Sequence, residues 1–239
     1  MLKSLLSWGE WSDLAELLSP RFFKVVSVSQ AITQLRDFKA NYDDQEGFED
    51  VCRRRGWSLQ QAEIPVDVKA SGEPDSGGPI DGQVLLRLYF HQLYSEGSTV
   101  VDLRPQVFEE GDDRWEWYPG RFYVDWDEEF LASLRQMYVG FYGDDQAAFE
   151  RGVEGVGLEG CSDLFRQHFG GEDQQNVEFE LAAFRETFRK IFRRAKERGL
   201  RLHPNFIALG VYLATLYQHL EDAGGTYDVR SAFESVQQG

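Results

Sequence analysis

The chain has 239 residues, 42% hydrophobic and 14% aromatic, enough for one large domain or two small ones with a substantial core. A formal charge of −16 argues against a duplex-binding surface, because neutralising phosphates takes clustered Lys and Arg, so no nucleic-acid partner is expected. The longest apolar run, Phe206 to Tyr217, has twelve residues where a membrane span takes about 20.

In chain order, the opening "LKSLLSWGEWSDLAELLSP" spaces Leu2, Leu5, Leu6, Leu14, Leu17 and Leu18 as a short amphipathic helix that Pro20 stops. "FFKVVSVSQAITQLRDF" begins β-branched and turns helical. "FEDVCRRRGW" predicts a further turn of helix ended by Gly56. Residues 58–82 turn polar, and "SGEPDSGGPIDG" is dense in Gly and Pro, which marks a boundary between an N-terminal mixed segment, 1–82, and a helical domain, 83–239.

Beyond it, "GQVLLRLYFHQLYSEG" predicts a buried helix, apolar over most of its circumference. "TVVDL", "QVFEE", "RWEWY" and "RFYVDW" predict short strands in an antiparallel hairpin or meander, with turns at Gly111-Asp112-Asp113 and Pro119-Gly120. Asp125 or Asp127 caps the next helix, with Glu128 three residues after Asp125 as a capping box, and Gly140 and Gly143 mark its end. Two short helices follow, "DDQAAFERGVEGVGL" and "CSDLFRQHFG". A long one then carries Val177, Leu181, Phe184, Phe188, Ile191 and Phe192 as a single stripe. The last helix opens with Pro204 in its first turn, buries Leu209, Tyr212, Leu213 and Leu216, and stops at Gly224-Gly225. The expected class is α+β, mainly α.

Cys52 and Cys161 lie far apart and outside any CxxC pattern. His91, His168, His203 and His219 have no partner at ligand spacing, so neither a disulfide framework nor a structural metal is expected. With one Lys and early acidic residues in a short apolar start, "MLKSLLSWGEWSDL" is a poor secretory signal, and the expected compartment is the cytoplasm. Between Arg185 and Arg201 eight basic residues stand against Glu186 and Glu197, a local +6 that leaves −22 on the rest. Arg185, Arg189, Arg193 and Lys196 make this face a candidate surface for an acidic protein partner or, peripherally, for anionic lipid at the inner membrane face. Its plain alternative is a solvated helix face.

"GSTVVDLRPQVF" offers either a catalytic loop around Asp102 or a turn before Pro105. From 83 to about 230 the order of elements resembles the C-terminal lobe of the AarF/UbiB family of atypical kinases. There an apolar helix leads to a loop "G-F-F-H-A-D-P-H-P-G-N", a strand pair, a DFG element and helices. Gly97, Asp102 and Pro105 fall on the Gly, the catalytic Asp and the second Pro. Val100, Leu103, Arg104, Gln106 and Val107 replace the two His, the first Pro, the Gly and the Asn. "RKIFRRAKERGLRLHPNFIALGVYLATLYQHLEDAGGTYDV" is similar to the family's closing pair of helices.

The resemblance implies a protein-kinase-like helical lobe. Phosphoryl transfer needs a Lys on the phosphates, an Asp and an Asn on Mg²⁺ and an Asp near the nucleophile, and Val107 cannot hold a metal. One register puts Tyr118-Pro119-Gly120 at DFG and loses the carboxylate. Another puts Asp125-Trp126-Asp127 there and makes Asp125 a candidate metal ligand, against its reading as a helix N-cap. "VDVKASG" nominates Lys69 as the phosphate lysine, although the short interval of residues 70–82 before the lobe leaves no room for an αC-like helix. The expectation is therefore a catalytically degenerate kinase-like protein that binds or regulates a protein partner, with no cofactor. The alternative is an active kinase or ATPase that takes Mg-ATP through Asp102, Asp125 and Lys69. The carboxylates of "DWDEEF" suit a helix start better than acid–base chemistry.

Overall fold

The computed structural model describes residues 40–41, 43–168, 175–200 and 202–237. The expected helix at 2–18, the "FFKVVSVSQAITQLRDF" segment with Lys24, and Arg201 lie outside the described residues, as does the side chain of His168.

Helix α1, Gln45–Gln61, is capped by Asp44, whose carboxylate accepts from Gly47 N at 2.9 Å. It buries Phe48, Val51, Cys52, Arg55 and Leu59 on one face. Gly56 does not end it. The helix runs on to bury Leu59, since an interior glycine costs only about 1 kcal/mol, which packing offsets. The chain then enters β1, Val66–Val68. The Gly- and Pro-rich stretch after it is not a spacer between two cores: Gly78 N donates to Phe108 O, and Ile80 is 2% exposed. Phe48, Ile64, Val66 and Ile80 belong to the same hydrophobic cluster as the helices that follow.

Asp81 caps α2, Gly82–Tyr94, which buries Leu85, Leu86, Leu88, Tyr89, Phe90 and Leu93. Next come β2, Thr99–Val100, a 3₁₀ turn at Pro105–Val107, and the strands β3, Phe108–Glu110, β4, Trp115–Trp117, and β5, Tyr123–Val124. The β structure is not one antiparallel meander. β4 pairs antiparallel with β3 and parallel with β1 (Val66↔Trp115, Val68↔Trp117), while β5 leaves that sheet and pairs antiparallel with β2 (Val100↔Tyr123). The Pro119-Gly120 turn thus hands the chain from one small sheet to the other.

Helix α3, Glu128–Tyr142, is capped by Asp127, which accepts from Phe130 N at 3.0 Å. Asp125 makes neither the cap nor a capping box; it accepts from Ser98 Oγ instead. α3 crosses α4, Gln146–Gly155, so closely that a Cβ at Gly140 would lie 2.2 Å from Phe149 N. α5, Ser162–His168, precedes α6, Leu181–Arg198, which ends at the left-handed Gly199. Val177 lies outside α6, in a bridge to Tyr227. α7, Phe206–Ala223, runs through the core with Leu209, Tyr212, Leu213 and Leu216 all buried. α8, Val229–Gln237, has no counterpart among the expected elements and packs Phe233 against Phe90, Tyr94 and Tyr142. The described chain is mainly helical, and none of its helices is long and apolar enough to cross a membrane.

Candidate functional site: the 101–107 loop

The loop after β2 is held from three sides. Val101 N donates to Phe122 O across the β2–β5 ribbon. From α7, Thr215 Oγ1 donates to Val101 O at 2.8 Å. His219 bridges: the Ile80 N–H donates to its Nε2 at 2.8 Å, so its proton sits on Nδ1, which donates to Leu103 O at 2.7 Å. Burial pushes the His219 pKa down to about 4, so the ring is neutral at neutral pH. From β4, Trp117 Nε1 donates to Asp102 O at 2.9 Å.

These contacts bury Asp102 entirely. Its Oδ1 accepts from Arg104 N at 3.3 Å and Nε at 2.8 Å, and its Oδ2 from Arg104 Nη2 and Gly120 N, both at 2.9 Å. A Cβ at position 120 would stand 2.9 Å from Oδ2, which is why a glycine serves there. Both carboxylate oxygens are engaged by donors with no surface open to solvent. A general base has to come within about 3 Å of the proton it takes, so in this arrangement Asp102 orders the loop.

The other two nominated residues do not converge on it. Asp125 is exposed just beyond β5, where it accepts from Ser98 Oγ at 2.5 Å. Asp102 lies beyond the other end of the ribbon, so the four-residue step from Ser98 to Asp102 separates them by about 13 Å. Lys69 N donates to Trp117 O at 2.8 Å, but its Nζ pairs with Glu116 Oε1 at 2.9 Å. Neighbouring side chains on a strand point to opposite faces. The Lys69 ammonium therefore lies on the Glu116 side of β4, while Asp102 lies on the Trp117 side. Hydrogen bonds from the Tyr118 hydroxyl and then from Lys69 hold the Glu116 carboxyl below its usual range.

Val107, at the end of the loop, is buried and apolar. Tyr118-Pro119-Gly120 directly follows β4, and Gly120 touches Asp102. Among the described residues no three His, Cys, Asp or Glu side chains gather as a metal site. Sequence reasoning missed Arg104 and His219. Asp-x-Arg with Leu103 between was a usable signal for the first, since in an extended segment residues two apart share a face. His219 carried none, because its partners are 116 and 139 residues away. Compared with known proteins, the chain matches no family model, and no curated protein matches its sequence.

Proposed function

We propose that this chain is a kinase-like lobe that has given up phosphoryl transfer and works by binding a protein partner. The order of elements supports the kinase-like part: apolar α2, the 101–107 loop, the β3–β4 strand pair, a Gly-ending tripeptide that returns to the loop Asp, and then helices. The observation that carries the loss of catalysis is the bidentate Arg104 on a fully buried Asp102. In the register that puts Tyr118-Pro119-Gly120 at DFG, Val107 and Tyr118 take the two positions where a kinase holds its metal ions through Asn and Asp, which supports the same reading. Residues 70–81 between Lys69 and α2 hold neither helix nor strand, so the αC-type partner that a phosphate lysine needs is missing from that interval.

Mg-ATP titration of the full-length chain, followed by thermal shift and by calorimetry, tests the reading. A ligand at about 100 times its Kd adds about 2.7 kcal/mol of stability, so binding of any consequence would register, and none is expected at millimolar nucleotide. Saturable binding that disappears in Lys69→Ala and Asp125→Ala would establish the active-kinase alternative in its place.

A further inference from the structure

The basic residues of α6 divide between two roles. Arg194 is committed to the fold, with its guanidinium on the Asp163 carboxylate and on Gly160 O. At 100° per residue, Arg185, Lys196, Arg189 and Arg193 fall in succession across a strip about 80° wide and about 17 Å long. It lies beside the buried line of Phe184, Phe188, Ile191 and Ala195. Arg189, Arg193 and Lys196 are exposed. Arg189 reaches Glu186 only at 3.9 Å, and among the described residues Arg193 and Lys196 have no carboxylate at ion-pair distance. Three solvated cations in one line, of which among the described residues only Arg189 touches a carboxylate of the chain and that at 3.9 Å, leave a positive ridge on a protein of net charge −16.

We propose that this ridge docks an acidic segment of a partner protein. The inference rests on the binding-module reading and names the chemistry of the partner. Its shape decides between the two anionic surfaces that such a patch could meet. A bilayer is a plane, and it would also press on the exposed Glu186 and Glu197 that border the strip on its outer side. A single extended segment occupies about 5 Å of width and covers with three residues the about 10 Å from Arg189 to Lys196, so it can lie along the cations and leave those carboxylates to solvent. At a Debye length of about 8 Å the acids elsewhere on the chain are screened, and the ridge governs the encounter.

The test uses the full-length chain and a labelled oligo-glutamate peptide in fluorescence polarisation at low and at physiological salt. Three proteins are compared: wild type, a ridge variant (Arg189, Arg193 and Lys196 to Gln), and a control that loses the same charge elsewhere (Arg53, Arg54 and Arg151 to Gln). Wild type and control should bind in a salt-sensitive way, and the ridge variant about tenfold more weakly or worse. Equal binding by ridge variant and wild type, or no binding at low salt, overturns the proposal. So does retention of wild type but not of the ridge variant on phosphatidylserine vesicles that the peptide fails to displace, which would assign the ridge to a membrane. Mg-ATP binding by the wild type would remove the non-catalytic reading and leave this comparison intact, because the ridge variant keeps Asp102 and Lys69.

Discussion

Arg104 closes its guanidinium over the carboxylate of Asp102, Nε on Oδ1 at 2.8 Å and Nη2 on Oδ2 at 2.9 Å, with both residues buried. A side chain that the loop's sequence presents as a base is thereby the anchor of the loop that carries it. The backbone N–H groups of Arg104 and Gly120 complete its shell.

Breaking that pair from one side strands a buried charge, so Asp102→Leu and Arg104→Leu should each cost about 3 to 5 kcal/mol. The double variant removes both charges and should cost less than the sum of the two. Urea unfolding of the three variants measures this. Single losses below about 1 kcal/mol would mean that the pair does not hold the loop.

Glycine substitutions in the helices should separate by what a new methyl meets. At Gly140 and Gly152 the opposing atoms are backbone, Phe149 N at 2.2 Å and Met137 N at 2.4 Å, so α3 and α4 must move apart. The strain of about 1 to 3 kcal/mol exceeds the gain in helix propensity of about 1 kcal/mol. Both Ala variants should lower Tm. Gly56→Ala meets only Val68 Cβ at 4.0 Å and should stabilise by about 0.5 to 1 kcal/mol. Calorimetric melting of the three variants ranks them.

His219 gives stability an acid dependence well above the carboxylate range. Its folded pKa is about 4 against 6.5 for a free imidazole. Between those values the unfolded chain binds a proton that the native one refuses, so stability is full above about pH 6.5 and is lost as pH falls toward 4. From pH 7 to pH 5 the loss due to this residue is about 2 kcal/mol at 1.4 kcal/mol per pH unit. His219→Gln, which cannot be protonated, should lessen the slope of the urea-stability profile there by the share due to this ring, a further share being carried by His91, whose pKa burial also pushes down to about 4. An unchanged slope would show that the ring does not stay neutral in the native state.

Long periodic segments are legible in the sequence. α2, α3, α6 and α7 announce themselves because a helix is stabilised by neighbours three and four residues away, and the burial of Leu213 follows from that spacing. Strand pairing is not legible, because β1 and β4 are nearly fifty residues apart and a three-residue strand carries too little pattern to choose a partner. Spacing narrows the cap of α3 to Asp125 or Asp127, and only the ribbon geometry that brings Ser98 to Asp125 decides it.

The candidate site divides in the same way. By itself the sequence determined the residue types of the 101–107 loop, with no metal-binding side chain at position 107, and the local excess of positive charge on α6, since both are properties of neighbouring residues. Tertiary structure alone decided that Asp102 faces inward onto Arg104, that Lys69 lies across β4 from it, and that Arg194 is spent on Asp163 while Arg193 and Lys196 meet no carboxylate among the described residues. Which face a side chain presents, and which charge it meets there, depends on elements that the chain supplies tens of residues away.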